Sequence, residues 1–144
     1  MTEQLASLHP SVAASLATWH DMLHRRDLAA LPSIVHPDAV FRSPLAFTPY
    51  QSAQAVVLVL GTVINVFEDF VYHRQFATGD GLSVVLEFSA RVGDKQLKGA
   101  DFIRFDEDGK IVEFEVMVRP LSGLQALGAE MGKRIGHLIP AFKG

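Results

Sequence analysis

The sequence predicts an α+β fold in which a curved antiparallel sheet wraps around helices. Two observations support this class. Residues 11–66 place apolar side chains mostly at helical spacing, interrupted by one short extended segment. Residues 69–118 instead run as long apolar-rich segments, many alternating with polar side chains and separated by glycine-containing turns, as in antiparallel strands. Helices followed by consecutive strands indicate a single α+β domain.

Composition excludes several classes of protein. The 144 residues suffice for one domain with a sizeable core, and a net charge of −3 indicates no nucleic-acid partner. Without cysteine there is no disulfide, thiolate metal ligand or cysteine nucleophile. The first ten residues lack a signal-peptide pattern, and the longest apolar run, 55–60, is too short to cross a bilayer. We therefore expect a cytoplasmic protein with no membrane partner.

Three helices are predicted ahead of the main strands. The first covers residues 11–26, with Ser11 as a candidate N-cap. Its apolar stripe consists of Val12, Leu16, Trp19 and Leu23. A short second helix covers residues 28–35. The third covers residues 53–66 and begins after a Ser52 cap.

A turn, a short strand and a loop separate the second helix from the third. Residues 36–38 form the turn, and residues 39–43 form a strand that ends before a proline. Residues 44–51 form an irregular loop. Its aromatic side chains, Phe47 and Tyr50, either line the mouth of a pocket or pack on the third helix.

Four antiparallel strands and a last helix complete the prediction. The strands cover residues 69–77, 82–92 and, as a hairpin with an acidic turn ending in glycine, 97–118. The last helix, 122–138, contains four glycines that each cost up to about 1 kcal/mol relative to alanine. Whether it closes over a pocket or simply docks stays open.

The predicted register turns one carboxylate toward the apolar side of the sheet. A two-residue turn between the second and third of these strands places Leu86 opposite Asp101. In the hairpin, pairing of Phe105 with Lys110 places Phe114 opposite Asp101. The same face also carries Val84, Phe88, Ala90, Leu97, Gly99, Ile103, Val112, Val116 and Val118.

A buried, unpaired carboxylate costs several kcal/mol, so Asp101 must find hydrogen-bond donors or hold a proton. One interpretation makes Asp101 the polar anchor of a ligand pocket. The other makes it a structural group bonded to backbone or to an indole N–H. Because Trp19 lies on the first helix, its N–H is the expected neighbour of the carboxyl group.

Two further side chains are candidates for acid–base chemistry. His20 adjoins Trp19 and, if it reaches the pocket, would be a general base; the alternative is a structural histidine. Glu87 lies on the opposite face from Asp101 unless a β-bulge turns it inward. His20 and His24 share a helix face, but no third metal ligand accompanies them. With no glycine-rich phosphate loop either, we expect neither a metal nor a cofactor.

The other face of the hairpin mixes charged and apolar residues. These are Lys98, Ala100, Phe102, Arg104, Ile111, Glu113, Glu115 and Met117. This face is too apolar to be purely hydrated, so we expect a homodimer through the outer face of the sheet. Cross-strand charge pairing on a hydrated surface is the alternative.

Two stretches, HRRDLAALPSIVHPDAVFRSP and ADFIRFDEDGKIVEFEVMVRP, resemble the nuclear transport factor 2-like superfamily. The order of elements is similar too, and the nearest members are the SnoaL-like and ketosteroid isomerase-like proteins. The resemblance covers residues 8–132 and implies a cystatin-like cone fold whose sheet curls around a deep apolar pocket. Because the superfamily includes isomerases, polyketide cyclases, epoxide hydrolases, dehydratases and proteins without chemistry, it leaves the activity open.

The resemblance also assigns roles to individual residues. Asp101 lies where ketosteroid isomerases keep a protonated Asp that binds the oxyanion. Ser43 replaces their general-base Asp, and Trp19 replaces their oxyanion-binding Tyr, so their mechanism is not expected here. Gly99 replaces the arginine of an epoxide hydrolase-like Arg–Asp pair. A cyclase of the SnoaL type needs only one pocket acid or base, which Asp101 supplies.

The sequence therefore predicts a pocket for a small apolar molecule that carries oxygen. Asp101 and His20 are the candidate catalytic residues. The expected ligand contacts are Trp19, Phe41, Ser43, Tyr50, Leu86, Glu87, Phe114 and Val116. Two functions stay open: proton transfer of the isomerase or cyclase kind, and a non-catalytic ligand-binding or dimeric structural module.

Overall fold

The computed structural model describes residues 7–138. In chain order its elements are α1 (Pro10–Arg25), a 3₁₀ turn (Leu31–Ile34), β1 (Val35–Arg42), β2 (Tyr50–Gln51), α2 (Ala53–Val66), β3 (Glu68–Ala77), β4 (Ser83–Val92), β5 (Lys95–Phe105), β6 (Ile111–Arg119) and α3 (Leu121–Ile135). This arrangement confirms the predicted α+β class. None of the helices in this part of the chain is long and apolar enough to cross a bilayer.

The six strands form one curved, open sheet in the order β2-β1-β6-β5-β4-β3. The sheet is mixed rather than purely antiparallel, because β1 runs parallel to β6 while the other neighbours are antiparallel. The prediction also lacked β2, whose two residues are too few for a periodic signal. The helices cover the concave face of the sheet and enclose the core between them.

The predicted pairing of β4 with β5 is confirmed along its whole length. Leu86 lies opposite Asp101 and Val84 opposite Ile103, with no bulge between the strands. The two-residue turn contains Gly93 at φ +61°, a conformation that glycine adopts without strain. One face of this strand pair is therefore buried, and Asp101 belongs to it.

The predicted pairing of β5 with β6 is wrong by two residues. Asp101 lies opposite Val116 rather than Phe114. The five-residue loop, with Gly109 at φ +81°, shifts the pairing by one residue, and a bulge opposite Arg104 and Phe105 shifts it by a second. The Asp106 carboxylate accepts hydrogen bonds from two backbone N–H groups of this loop, at 3.0 and 2.9 Å. A shift of two keeps Phe114 and Val116 on the inner face. The irregularity beside the loop, however, buries Ile111, which was expected outside.

The predicted helices form with corrected ends. Ser52 caps α2 by accepting a hydrogen bond from the Ala55 N–H at 3.0 Å, as expected. Ser11 does not cap α1; its hydroxyl donates to the Glu107 carbonyl oxygen at 2.6 Å and ties α1 to the β5–β6 loop. The short second helix is reduced to the 3₁₀ turn, and the turn expected at residues 36–38 lies within an irregular β1.

The glycines of α3 do more than weaken a helix. A Cβ atom at Gly123 would lie 2.8 Å from the Leu97 Cβ and 2.9 Å from the Gln96 carbonyl oxygen. Glycine at this position therefore lets α3 approach β5 closely. Because of this close approach, Leu127 and Met131 of α3 are buried in the core.

Candidate ligand pocket

A cavity of about 290 Å³ opens between the helices and the concave face of the sheet. All three helices contribute to its wall, which is mostly aliphatic and aromatic. The deep part consists of Trp19, Phe41, Val59, Leu60, Leu127 and Met131, all nearly inaccessible to solvent. Its volume is near the lower end of the range for pockets that hold small organic molecules.

Asp101 supplies the carboxyl group of this wall. Its side chain is buried, with 6% of the residue exposed. The Tyr72 hydroxyl donates a hydrogen bond to its Oδ2 at 2.6 Å, and the Trp19 indole N–H donates to the Tyr72 oxygen at 3.0 Å. The expected indole partner is therefore present, but it acts through a tyrosine.

The environment changes the acidity of this group. Burial raises the pKa of Asp101 from 3.8 to about 7, although the hydrogen bond from Tyr72 opposes the rise. Burial, followed by the nearby charge of Asp101, raises the pKa of Tyr72 well above its usual value, so the phenol stays neutral. At neutral pH Asp101 can therefore either donate or accept a proton.

Comparison with known proteins identifies the family. The sequence profile of the SnoaL-like domain matches residues 16–114. The chain belongs to the SnoaL-like family. It is similar to a solved steroid delta-isomerase from Pseudomonas aeruginosa, with 63% identity over 93% of this chain and 98% of that one and a TM-score of 0.88. No curated protein matches it.

Two further structures share the fold of this SnoaL-like chain. An uncharacterised Silicibacter pomeroyi protein with a cystatin-like fold is 28% identical, with 95% of both chains covered and a TM-score of 0.80. A nuclear transport factor 2-like protein of unknown function from Mesorhizobium loti is 20% identical over 78% of this chain and 93% of that one, with a TM-score of 0.67. The predicted SnoaL-like family, matched by the domain profile, and the predicted cystatin-like fold are thus confirmed.

Four of the predicted ligand contacts line the cavity of this SnoaL-like chain beside Asp101. They are Trp19, Phe41, Ser43 and Val116. The Ser43 Oγ accepts a hydrogen bond from the Leu45 N–H at 3.0 Å. Ser43 thus contributes a hydroxyl group to the cavity wall but no general base.

Three other predicted contacts lie behind the wall, which corrects the prediction. Phe114 packs edge-on against Trp19, with ring centroids 5.4 Å apart. Trp19 lines the cavity and Phe114 does not. Tyr50 stacks behind Phe41 at 6.2 Å. Leu86 is fully buried opposite Asp101. Alternation gave the correct face for Phe114 and Leu86, but it carries no information about depth.

Glu87 lies on the outer face of the sheet, so the expectation that it turns inward is wrong. The bulge that would turn it is in β3, between Tyr72 and Gln75, and not in β4. Arg74 donates two hydrogen bonds to the Glu87 carboxylate, at 2.8 and 2.6 Å, and Lys98 lies 3.2 Å away. These cations lower the pKa of Glu87 to about 2.

His20 also lies outside the cavity wall. Its ring packs edge-on against Tyr72 at 5.4 Å between centroids, and its side chain bonds Gln75. Burial lowers the pKa of His20, which favours the neutral ring. His20 therefore packs against Tyr72 outside the cavity wall and does not reach a ligand. No group of three or more metal-ligating side chains occurs within residues 7–138.

The sequence interpretation missed Tyr72, His24 and Arg26, which line the cavity. Tyr72 follows Phe70 at a two-residue step, and both point inward, so strand alternation contained a usable signal. The two basic residues lie at the end of α1 and carry no such signal. Their contribution depends on how α1 packs against α2.

Proposed function

We propose that this SnoaL-like protein binds a small apolar molecule with an oxygen at one end, and that Asp101 exchanges a proton with it. The observation that carries this proposal is the single carboxyl group of an apolar cavity, with a pKa of about 7. A carboxyl group that holds its proton near neutral pH can donate a hydrogen bond to a carbonyl oxygen. The chemistry is of the isomerase or cyclase kind found in the family.

Asp101 suits this role because its two carboxyl oxygens differ in their hydrogen bonding. Tyr72 occupies Oδ2, whereas no side chain or backbone group within residues 7–138 bonds Oδ1. A proton on Oδ1 is therefore available to a ligand oxygen. Hydrogen bonding to a ketone oxygen stabilises the enol that forms when a neighbouring carbon loses its proton. Return of that proton to another carbon completes an isomerisation.

Ser43 does not supply the general base that this mechanism needs. Because a serine hydroxyl does not accept a carbon-bound proton at neutral pH, the two-residue arrangement of ketosteroid isomerases is incomplete here. In our proposal the ionised fraction of Asp101 accepts the carbon-bound proton. The carboxylic acid so formed donates a hydrogen bond to the enolate oxygen and then returns the proton to the other carbon. The same deficiency favours a second candidate function, a non-catalytic protein that binds a ligand of this kind.

The experiment uses a Δ5-3-ketosteroid, because the similar Pseudomonas aeruginosa protein is a steroid delta-isomerase. Conversion is followed by the absorbance of the conjugated enone product, and binding by calorimetry. We expect binding and slow conversion, both weakened in Asp101→Asn. Binding without conversion would favour the non-catalytic alternative. Absence of binding, or conversion unchanged in Asp101→Asn, would contradict the proposal.

We further propose a homodimer through the outer face of the sheet. Val71, Phe76 and Met117 lie there with exposures of 50%, 40% and 52%. Ile111, expected on this face, is buried in the core and does not contribute. Sedimentation should give a dimer mass for the wild type and a monomer mass for Met117→Glu.

A cytoplasmic location likewise stays a prediction.

A further inference from the structure

Helix α1 runs along the cavity from its deep end to its mouth. Trp19, 2% exposed, lies at the deep end and reaches Asp101 through Tyr72. Arg26, at the C-terminal end of α1, is exposed and lines the same cavity. Seven residues at the helical rise separate these two positions by about 10 Å. The carboxyl group, linked to Trp19, and the guanidinium group of Arg26 therefore belong to separate parts of the cavity wall.

The guanidinium group of Arg26 is held at the mouth by the neighbouring helix. Its Nη2 donates a hydrogen bond to the Ile64 carbonyl oxygen near the end of α2, at 2.7 Å. Within the described residues no carboxylate forms an ion pair with Arg26. The adjacent Arg25, in contrast, pairs with Asp21 at 2.8 Å. Arg26 is thus an oriented cation whose charge no carboxylate of residues 7–138 neutralises.

Between these ends the wall is apolar. Leu23, Val63 and Ile64 line the cavity, and Asp101 is the one carboxyl group among the lining residues. His24 lies beside Arg26 on the rim. A ligand that fills this space meets an acid at its buried end, hydrocarbon along its middle and a positive charge at its outer end.

Resting on the function proposed above, we propose that the pocket selects an elongated apolar molecule carrying an anionic group, a carboxylate or sulfate, opposite the oxygen that meets Asp101. Arg26 binds the anionic group through its remaining N–H donors. An arginine fork suits the two oxygens of a carboxylate. Arg26 is in this assignment a specificity-determining residue that takes no part in proton transfer.

The test compares two fluorescent probes with the same ring system. The first, 6-hydroxy-2-naphthoate, has a hydroxyl at one end and a carboxylate at the other; 2-naphthol has the hydroxyl alone. We expect wild-type protein to bind the carboxylate probe about fivefold more tightly, the gain typical of a partly hydrated ion pair. Fluorescence titration at low salt gives both dissociation constants.

Two substitutions isolate the charge. Arg26→Gln removes the charge and keeps a Cβ, so the left-handed backbone at φ 53° is strained no more than before. It should abolish the preference for the carboxylate probe over 2-naphthol. Arg26→Lys should keep most of the preference. Arg25→Gln, which removes the neighbouring charge, should leave both affinities as in the wild type.

The outcomes separate the two proposals. Equal affinity of the wild type for both probes, or a preference that survives Arg26→Gln, would overturn the assignment of Arg26 while leaving the pocket intact. Failure of both probes to bind would overturn the proposed function itself. Asp101→Asn should weaken both probes by the same factor, because both present the hydroxyl to that end.

Discussion

Asp101 and Glu87 lie on neighbouring strands, on opposite faces of the same sheet. Asp101 faces the apolar cavity, where burial raises its pKa to about 7. Glu87 faces outward between Arg74 and Lys98, and those cations lower its pKa to about 2. Both are carboxyl groups, so the difference comes from the environment alone. It shows how one sheet holds the same chemical group as a weak acid on one face and as an ion-pair partner on the other.

The largest expected effect is on chemistry at the inner acid. Asp101→Asn removes the proton that exchanges with the ligand, so turnover of the ketosteroid should fall by roughly 10²–10⁴-fold. Glu87→Gln is the matched control, because it makes the same kind of change on the outer face. Initial rates measure both. A similar loss in Glu87→Gln would remove the functional distinction between the two faces.

The two acids should also give stability opposite dependences on pH. For Asp101 the pKa is higher in the folded state, so the folded protein binds the extra proton between about pH 4 and 7. Its contribution is therefore complete at the acid end of this window and is lost as pH rises, by about 4 kcal/mol at most. Urea unfolding from pH 4 to 8 should show this decline, and Asp101→Asn should lack it.

Glu87 follows the opposite sign. Its pKa is lower in the folded state, so its contribution is present above pH 4.5 and is lost as pH falls toward 2. Glu87→Gln should flatten the acid limb of the stability curve without altering the neutral one. A wild-type curve that rises from pH 4 to 7, and is matched by Asp101→Asn, would contradict the assignment of a raised pKa to Asp101.

Tyr72 offers an intermediate perturbation. Its hydrogen bond lowers the pKa of Asp101 against the effect of burial, so Tyr72→Phe should raise that pKa further. The loss also leaves the Trp19 N–H without its partner, at a cost of about 1–3 kcal/mol of unfolding free energy. A pH titration of the Asp101 carboxyl signal measures the change. His20→Gln is the control, because His20 packs against Tyr72 without bonding Asp101. A fall in the pKa would refute this interpretation.

The smallest effect is expected on the outer face. Arg74→Gln removes the two hydrogen bonds to Glu87 but leaves Lys98 beside it. Because exposed ion pairs contribute little, the melting temperature should change by no more than a few degrees, and less at high salt. Thermal unfolding at two salt concentrations measures it. A large loss of ligand affinity in this variant would show coupling between the two faces that the structure does not predict.

The inward position of Asp101 could be predicted because the turn before β5 is short. A glycine-containing two-residue turn leaves one register for β4 and β5, and strand alternation then fixes the face. Alternation predicts faces only while strands stay regular. The five-residue loop that contains Gly109 and the bulge beside it broke that regularity and misplaced Ile111. Tyr72, in contrast, lies at a regular two-residue step after Phe70 and was overlooked.

The remaining parts of the site depend on contacts between distant segments. Phe114 and Leu86 were assigned to the correct face but not to the correct layer, because depth depends on where helices pack. The basic rim arises because the end of α1 lies against the end of α2, where Arg26 meets Ile64. Sequence periodicity describes one element at a time and does not contain such pairings.

The most direct test of this account is the pKa of Asp101 in the folded protein. The carboxyl carbon signal of protein labelled with ¹³C-aspartate, assigned by its absence in Asp101→Asn, can be followed from pH 3 to 9. We predict a midpoint near pH 7, as expected for an acid enclosed by hydrocarbon and one phenol. A midpoint near 3.8, the value of a hydrated aspartate, would contradict it.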